Sequence, residues 1–134
     1  MFVAAYFILY VSDQAKSTRF YETVLEKAPR LNVPGMTEFD LTDGAVLGLM
    51  PVAGIRRLIG PILPDPHRAS GIPRSELYLL VQSPHAHHLR SLEAGGLELS
   101  PFQTRDWGHS AAYSLDPDGH VLAFASENLQ NLTE

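Results

Sequence analysis

The chain contains two copies of one structural unit in the same internal order. Residues 6–13 (YFILYVSD) and 76–83 (ELYLLVQS) both read as an apolar strand followed by a helix-start signal, at an offset of 70 residues. Residues 43–49 (DGAVLGL) and 118–124 (DGHVLAF) form a second pair, at an offset of 75. Repetition of a supersecondary unit predicts a duplicated fold. We expect equivalent positions of the two copies to face a common cavity, and we look for function there.

Length and composition predict one domain with a hydrophobic core, because 45% of the 134 residues are hydrophobic. The apolar start of the chain lacks a basic region, so we interpret it as a first strand and not a signal peptide. No apolar run has the length of a membrane span. The sequence contains no cysteine, which excludes disulfides and thiolate metal sites. We therefore expect a cytoplasmic protein.

The net charge is explained most simply by solubility, and a bias toward cationic small ligands is a second explanation. The formal net charge is −5 and no dense basic run is present. Nucleic-acid binding depends on such basic surfaces, so we do not expect a nucleic-acid partner. We expect no membrane partner either.

The first copy reads as strand, helix and hairpin. Residues 3–11 are rich in β-formers, and either Ser12 or Asp13 is placed to cap the helix that follows. Pro29 is predicted to end that helix. The remaining predictions for this copy are a short strand at 31–33 and a hairpin of strands at 36–41 and 45–50.

Residues 51–74 contain five prolines and three glycines, and we interpret them as the connection, with a short helical piece at 53–58. In the second copy Ser83 is predicted to cap a helix that has Pro84 at its first position and turns Leu89 and Leu92 inward. The predicted strands of this copy are 76–82, 97–100, 109–115 and 120–126, with a turn at 116–119.

Residues 11–27 (VSDQAKSTRFYETVLEK), the hairpin before Leu49 and residues 105–125 (RDWGHSAAYSLDPDGHVLAFA) resemble the vicinal oxygen chelate superfamily. Its members include glyoxalase-type lyases, extradiol dioxygenases, and bleomycin and fosfomycin resistance proteins. The resemblance implies an α+β fold in which two βαβββ modules form curled mixed sheets around a cleft, and it implies a homodimer. We expect a single domain over 1–134, with module 1 at about 1–50, the connection at 51–74, module 2 at about 75–126 and a tail at 127–134.

The resemblance also implies where a metal would be bound. Metal-using members take ligands from the first and last strands of each module, and those positions carry over to Tyr6, Gly48, Glu76 and Ala123. Glycine and alanine have no donor side chain, and a neutral tyrosine is a poor ligand. A catalytic metal normally has about three protein ligands. We therefore expect no metal and no cofactor.

Period-2 alternation assigns the cleft-facing side of each strand. It predicts an apolar, aromatic hollow, with room at Gly48 and Ala123 where a metal would sit in other members. We expect Trp107 at the mouth and Tyr113 in either the core or the hollow. The candidate ligand-binding residues are Tyr6, Ile8, Tyr10, Gly48, Met50, Glu76, Tyr78, Trp107, Tyr113 and Ala123.

Glu76 has three interpretations. It is a strand-edge carboxylate paired with Arg74 or Arg105, a group that recognises a cationic or hydrogen-bonding ligand, or a general acid or base whose pKa is raised by burial. Recognition requires the fewest assumptions. If the protein is an enzyme, Glu76 is the candidate catalytic residue.

The histidines and the tryptophan have structural explanations beside functional ones. Residues 85–88 (HAHH) are predicted to form the exposed or half-buried start of a helix, with metal binding as the lesser alternative. His120 is expected in solvent after its turn, and His109 at the rim of the hollow beside Trp107. Trp107 is either a structural plug or a ring that stacks on a ligand.

Two classes of function follow. The first is metal-independent binding of a small aromatic or cationic molecule, as in the resistance proteins. The alternative is a glyoxalase- or dioxygenase-type enzyme, a lyase or oxidoreductase with an atypical metal site that includes Glu76.

Overall fold

The structure is a computed structural model that describes residues 1–128. The strands are β1 Ala5–Val11, β2 Leu31–Val33, β3 Met36–Thr42, β4 Ala45–Pro51, β5 Glu76–Leu80, β6 Leu97–Thr104, β7 His109–Leu115 and β8 Val121–Glu127. The helices are α1 Gln14–Leu25, α2 Val52–Ile59 and α3 Pro84–Glu93, with one turn of 3-10 helix at Pro66–Ala69. Residue 127 of the tail predicted at 127–134 is the end of β8, and residues 129–134 lie outside the described residues.

The two copies fold into two mixed sheets of the same topology. The first sheet has the strand order β1-β4-β3-β2 and the second has the order β5-β8-β7-β6. The first strand of each copy pairs in parallel with the last, and the other pairs are antiparallel. The predicted α+β fold of two βαβββ modules is confirmed.

The chain separates into two compact units that correspond to the two copies. The first unit comprises residues 1–22 and 26–70, and the second comprises residues 23–25 and the chain from residue 71. The first unit contains the first sheet and α2, and the second contains the second sheet and α3.

Helix α1 begins where the sequence predicts and ends earlier. The Asp13 carboxylate accepts a hydrogen bond from the Lys16 amide at 3.0 Å, which satisfies one of the unpaired amides of the first turn. Glu26 then adopts a left-handed conformation with φ of 56° and closes the helix. Such a residue ends the repeating backbone geometry by itself. Pro29 therefore lies beyond a helix that has already stopped, and the predicted end was wrong.

Helix α3 has Pro84 at its first position as predicted, but it buries a different face. Leu89 is exposed, whereas the buried residues of the helix are Pro84, His88 and Ser91. Ser83 precedes the helix without capping it through its side chain. Ser83 therefore stands at the predicted cap position, and the prediction that Leu89 faces inward was wrong.

A hydrogen-bonded polar cluster explains the buried face of α3. The Ser91 hydroxyl lies 2.8 Å from that of Ser114 on β7, and His88 Nε2 lies 2.8 Å from the Glu98 carboxylate on β6. Polar side chains are tolerated in a core when they bond to one another. The cluster therefore turns the helix so that its serine and histidine face the sheet.

The β7–β8 turn forms at the predicted residues and buries a histidine. The Asp116 carboxylate accepts hydrogen bonds from the amides of Asp118 and His120, both at 2.9 Å. The ring of His120 also bonds the Ser75 hydroxyl, at 3.1 Å. His120 is 4% exposed, so the prediction of a solvated side chain was wrong. The carboxylate pulls the backbone after the turn inward, and Ser75 holds the ring there.

The connection contains the predicted short helix. Helix α2 packs on β1 and β4 of the first sheet through its buried residues Val52 and Ile55. Among residues 1–128, no helix combines the length and the apolar character that a membrane crossing requires.

Candidate functional site

The open face of the second sheet is the side turned away from α3, and it carries a row of aromatic residues. Tyr78 of β5 is directly opposite Ala123 of β8, which is directly opposite Tyr113 of β7. Residues that face each other across neighbouring strands point to the same side of a sheet. Ala123 therefore lies between the two tyrosines on this face. Glu76, two residues before Tyr78, shares this face.

A hydrogen-bonded cluster of three rings extends this row. The Trp107 indole Nε1–H donates to the Tyr78 hydroxyl at 3.0 Å, and that hydroxyl lies 2.7 Å from His109 Nδ1. The rings of Tyr78 and His109 stack with their centroids 5.8 Å apart. Indole only donates, so the tyrosine oxygen accepts from it, and the phenol proton is available to the histidine nitrogen. The interaction holds Trp107 in place although its side chain is 55% exposed.

Arg105 covers the ring of Tyr113. Its guanidinium carbon lies 5.1 Å from the ring centroid. The Nη2 group donates to Ser100 Oγ at 2.8 Å, to the Pro101 carbonyl at 3.0 Å and to the Ala111 carbonyl at 2.9 Å, and Nε donates to the same Ala111 carbonyl at 3.2 Å. The cation is therefore held by neutral acceptors. Tyr113 is half-buried on the open face. Of its two predicted locations, the core and the ligand-binding hollow, the structure therefore excludes the core.

The pKa of the Tyr113 phenol depends on its burial and on the charges around it. Burial, followed by the negative charge of Glu76, raises the pKa of Tyr113 above its ordinary value, and the Arg105 cation acts in the opposite direction. Both charged groups are thus near one ring.

Glu76 is exposed and has no arginine partner in the described part of the chain. The ion pairs within residues 1–128 do not include it. Arg74 donates instead to the Ile72 carbonyl, and Arg105 is held as described above. The predicted pairing of Glu76 with either arginine is wrong. The carboxylate stands available beside the tyrosines.

The candidate residues of the first module lie on one face, but the space expected at Gly48 is filled. Tyr6 and Ile8 are exposed on β1, while Tyr10 and Met50 are half-buried near the ends of their strands. A Cβ added at Gly48 would lie 3.1 Å from Ile8 Cγ1 and 3.4 Å from Met36 Sδ. Those two side chains occupy the room that the sequence assigned to a ligand.

Sequence reasoning missed a charged group on this face. Glu38 on β3 pairs with Gly48, and its carboxylate lies 3.4 Å from Arg30 Nε. Arg30 also bonds the Asp40 carboxylate at 3.0 Å, which raises the pKa of Arg30, and Tyr6 contributes to the same shift. The alternating segment MTEFDL could have indicated this group. Neighbouring residues of a strand point to opposite faces, so Glu38 lies on the face opposite to the buried Phe39.

The four positions inherited from metal-using relatives do not form a metal site here. Ala123 is fully buried without a donor atom, and the position at Gly48 is closed by hydrocarbon and a thioether. Tyr6 and Glu76 remain as one phenol and one carboxylate. Among residues 1–128, no three His, Asp or Glu side chains are grouped as metal ligands. The donor set therefore does not fit the metal of the superfamily.

The histidines of α3 are separated by the helix. His88 is 1% exposed and bonds Glu98, so the expectation of an exposed or half-buried residue was wrong for this member. His87 stacks on Phe124 with the centroids 4.9 Å apart, and His85 lies 5.9 Å from the Phe102 ring. Each ring serves a packing contact.

The first module also has a groove at the start of α1, with a volume of about 740 Å³. The Gln14 amide spans it, donating to Val33 O at 2.8 Å and to Thr37 Oγ1 at 2.9 Å, and accepting from Gly35 N at 2.9 Å. No motif in the sequence pointed to this groove. The described contacts within it are structural.

The sequence model of the Glyoxalase/Bleomycin resistance protein/Dioxygenase superfamily matches residues 3–124. The chain belongs to this superfamily. The match extends from just before β1 to within β8 and so includes both modules of the glyoxalase-type fold. No curated protein matches the chain.

Solved structures share this glyoxalase-type fold. A glyoxalase-related enzyme from Fulvimarina pelagi is 26% identical, with a TM-score of 0.78 over 92% of this chain and 87% of that one. A superfamily enzyme from Burkholderia phytofirmans is 15% identical, with a TM-score of 0.77 over 92% and 97%. A superfamily protein from Nocardioides is 20% identical, with a TM-score of 0.72 over 93% and 82%. The last two likenesses show the fold alone.

Proposed function

We propose that this superfamily member binds a small molecule carrying a flat aromatic or cationic group, without a metal, on the open face of the second sheet. The observation that carries the proposal is the position of Trp107. More than half of its side chain is in solvent, yet its indole nitrogen is held by Tyr78. An exposed indole held in one orientation is a preformed stacking surface.

The chemistry of the surrounding rings supports this choice. Aromatic faces attract other rings in offset or edge-to-face geometry, and they attract cations through the ring quadrupole. Tyr78 and Tyr113 continue the surface away from Trp107, separated by the small Ala123. Small-molecule sites are typically built from such aromatic walls with a few polar groups.

Glu76 supplies the polar group for a cation. Its carboxylate is on the same face as Tyr78 and is outside every ion pair of the described residues. An ammonium or a ring N–H of a bound ligand would meet an acceptor there.

The alternative, a metal-dependent lyase or oxidoreductase, has weaker support. Of the four inherited ligand positions, only Glu76 has a carboxylate, and a catalytic metal normally needs about three protein ligands. The aromatic surface needs no further donor.

Fluorescence of the chain's single tryptophan tests the proposal directly. 1-Methylnicotinamide, a planar cation, should quench Trp107 emission saturably, and neutral nicotinamide should do so more weakly. Tetramethylammonium should compete without quenching, since it lacks a ring. All three affinities should be the same with and without EDTA.

A matched pair of variants identifies the surface. Tyr78→Leu should abolish saturable quenching, because it removes both the neighbouring ring and the acceptor of the indole N–H. Phe7→Leu removes another exposed aromatic side chain, in the first module, and should leave the quenching curve unchanged. Quenching that rises linearly without saturation in the wild-type protein, or saturable quenching that EDTA eliminates, would contradict the proposal.

A further inference from the structure

Two opposite charges on the open face of the second sheet are not neutralised by the protein. Arg105 and Glu76 both act on the Tyr113 phenol, but neither forms an ion pair with the other or with another described residue. Charged side chains are almost never fully buried unless they are paired, so an unpaired charge stands where water or a ligand can reach it. The groups that fix the Arg105 side chain can be identified in this structure.

Arg105 is fixed so that part of its fork remains open. Its Nε and Nη2 groups donate to Ser100 Oγ and to the carbonyls of Pro101 and Ala111, at 2.8 to 3.2 Å. The Nη1 group makes no hydrogen bond within residues 1–128, so two N–H donors on a rigid cation have no protein acceptor there. A fixed guanidinium of this kind binds an acid group at a low cost in side-chain entropy.

The acceptors that hold Arg105 are all neutral. A serine hydroxyl and two backbone carbonyls orient the guanidinium without cancelling its charge. The stacking of the cation over Tyr113, at 5.1 Å from the ring centroid, restricts it further. The cation is therefore positioned and still in need of an anion.

Glu76 provides the complementary group near the same tyrosine. It is exposed at the start of β5, and the pairing of β5 with β8 and of β8 with β7 places it on the face that Arg105 covers. A ligand lying along this face would meet a carboxylate, an aromatic surface and a guanidinium.

From this arrangement we propose that the ligand is an aromatic zwitterion, with its cationic nitrogen at Glu76, its acid group at Arg105 Nη1 and its ring on Tyr78 and Trp107. This inference rests on the proposed function and specifies its ligand class. A ligand with only one charge would leave the second protein charge without a partner.

Four probes that share a phenyl ring separate the contributions. Phenylalanine is the zwitterion, phenethylamine the cation, 3-phenylpropionate the anion and 3-phenylpropanol the neutral analogue. Binding is followed by the indole N–H cross-peak in ¹H–¹⁵N NMR spectra, because the chain has one tryptophan. Phenylalanine should bind most tightly, with a gain of roughly threefold to fivefold for each charge, the range of exposed ion pairs.

Two variants assign each charge to its partner. Glu76→Gln should weaken phenylalanine and phenethylamine by roughly threefold to fivefold and leave 3-phenylpropionate unchanged. Arg105→Lys, which keeps the charge but loses the fork, should weaken phenylalanine and 3-phenylpropionate. Glu93→Gln on α3 and Arg57→Lys on α2 are the matched controls, since both residues are exposed outside this face.

The outcomes distinguish this inference from the proposed function. Equal affinity of all four probes at Trp107 would leave the aromatic site standing and overturn the zwitterion. Loss of phenethylamine binding in Arg105→Lys but not in Glu76→Gln would also overturn it. If no probe shifts the indole cross-peak, the aromatic site itself is refuted, and the inference falls with it.

Discussion

Tyr78→Phe should loosen the aromatic cluster while leaving its hydrocarbon in place. The change removes one oxygen, which accepts from Trp107 Nε1–H at 3.0 Å and lies 2.7 Å from His109 Nδ1. The ring remains, so packing against Ala123 is retained. The substitution therefore isolates the two hydrogen bonds.

The magnitude follows from the exposure of the partners. A hydrogen bond contributes about 1 kcal/mol net when its groups are buried, and less when water can replace the lost partner. The indole N–H is on an exposed side chain, so its bond is assigned about 0.5 kcal/mol. The histidine bond is partly buried and is assigned about 1 kcal/mol. The free energy of unfolding should thus fall by about 1 to 1.5 kcal/mol.

Urea unfolding measures this change with two probes. Far-UV circular dichroism reports the free energy of unfolding, and tryptophan emission reports the environment of Trp107. The emission maximum of Tyr78→Phe should shift to the red, because the indole N–H turns to water. Tyr6→Phe is the matched control, since no hydrogen bond of the described residues is assigned to the Tyr6 hydroxyl.

A double-mutant cycle gives the refutation. Trp107→Phe removes the donor, and the combined variant with Tyr78→Phe should be less destabilised than the sum of the single changes, by about 0.5 kcal/mol. Additive effects, together with an unshifted emission in Tyr78→Phe, would show that the two side chains do not interact in solution.

Two further predictions concern backbone and charge. Gly119→Ala should destabilise the protein by about 2 to 4 kcal/mol in thermal unfolding, because Gly119 has a positive φ of 85° and the new Cβ would lie 2.9 Å from Gly71 Cα. Gly35→Ala, at φ of 98° but in open space, should cost only about 1 kcal/mol. Equal losses of stability in the two variants would contradict the predicted clash with Gly71. Tyr113 should stay protonated at pH values above 10, because burial and then Glu76 raise its pKa, so stability should be complete below about pH 10 and fall above it. In an ultraviolet titration, Glu76→Gln should lower the pKa of Tyr113. An unchanged pKa would show that the Glu76 carboxylate does not lie near the Tyr113 phenol.

Several local elements were predictable because their signals lie within a few residues. The β7–β8 turn needs only the sequence Asp-Pro-Asp-Gly, and in the structure Gly119 has a positive φ while the Asp116 carboxylate accepts from two amides of the turn. The start of α1 needs only Asp13. The end of α1 was predicted wrongly, because a left-handed residue such as Glu26 has no strong signature outside glycine and asparagine.

The faces of α3 were mispredicted for a different reason. Leucine at two helical positions favours an apolar stripe, but the sheet below presents Ser114 and Glu98. Which helix face is buried depends on the surface it meets. The hydrogen bonds of His88 and Ser91 to those partners override the hydrophobic pattern.

The sequence alone determined the duplicated βαβββ order, because each strand, cap and turn is encoded locally and the encoding is repeated. It also determined that the inherited chelating positions hold one carboxylate, since residue identity needs no coordinates. The tertiary structure decided which side chains meet: that Ile8 and Met36 fill the space at Gly48, that Arg105 lies over Tyr113, and that Trp107 bonds Tyr78. Such contacts join residues distant in the chain, and strand register and side-chain rotamers set them only once the sheet has formed.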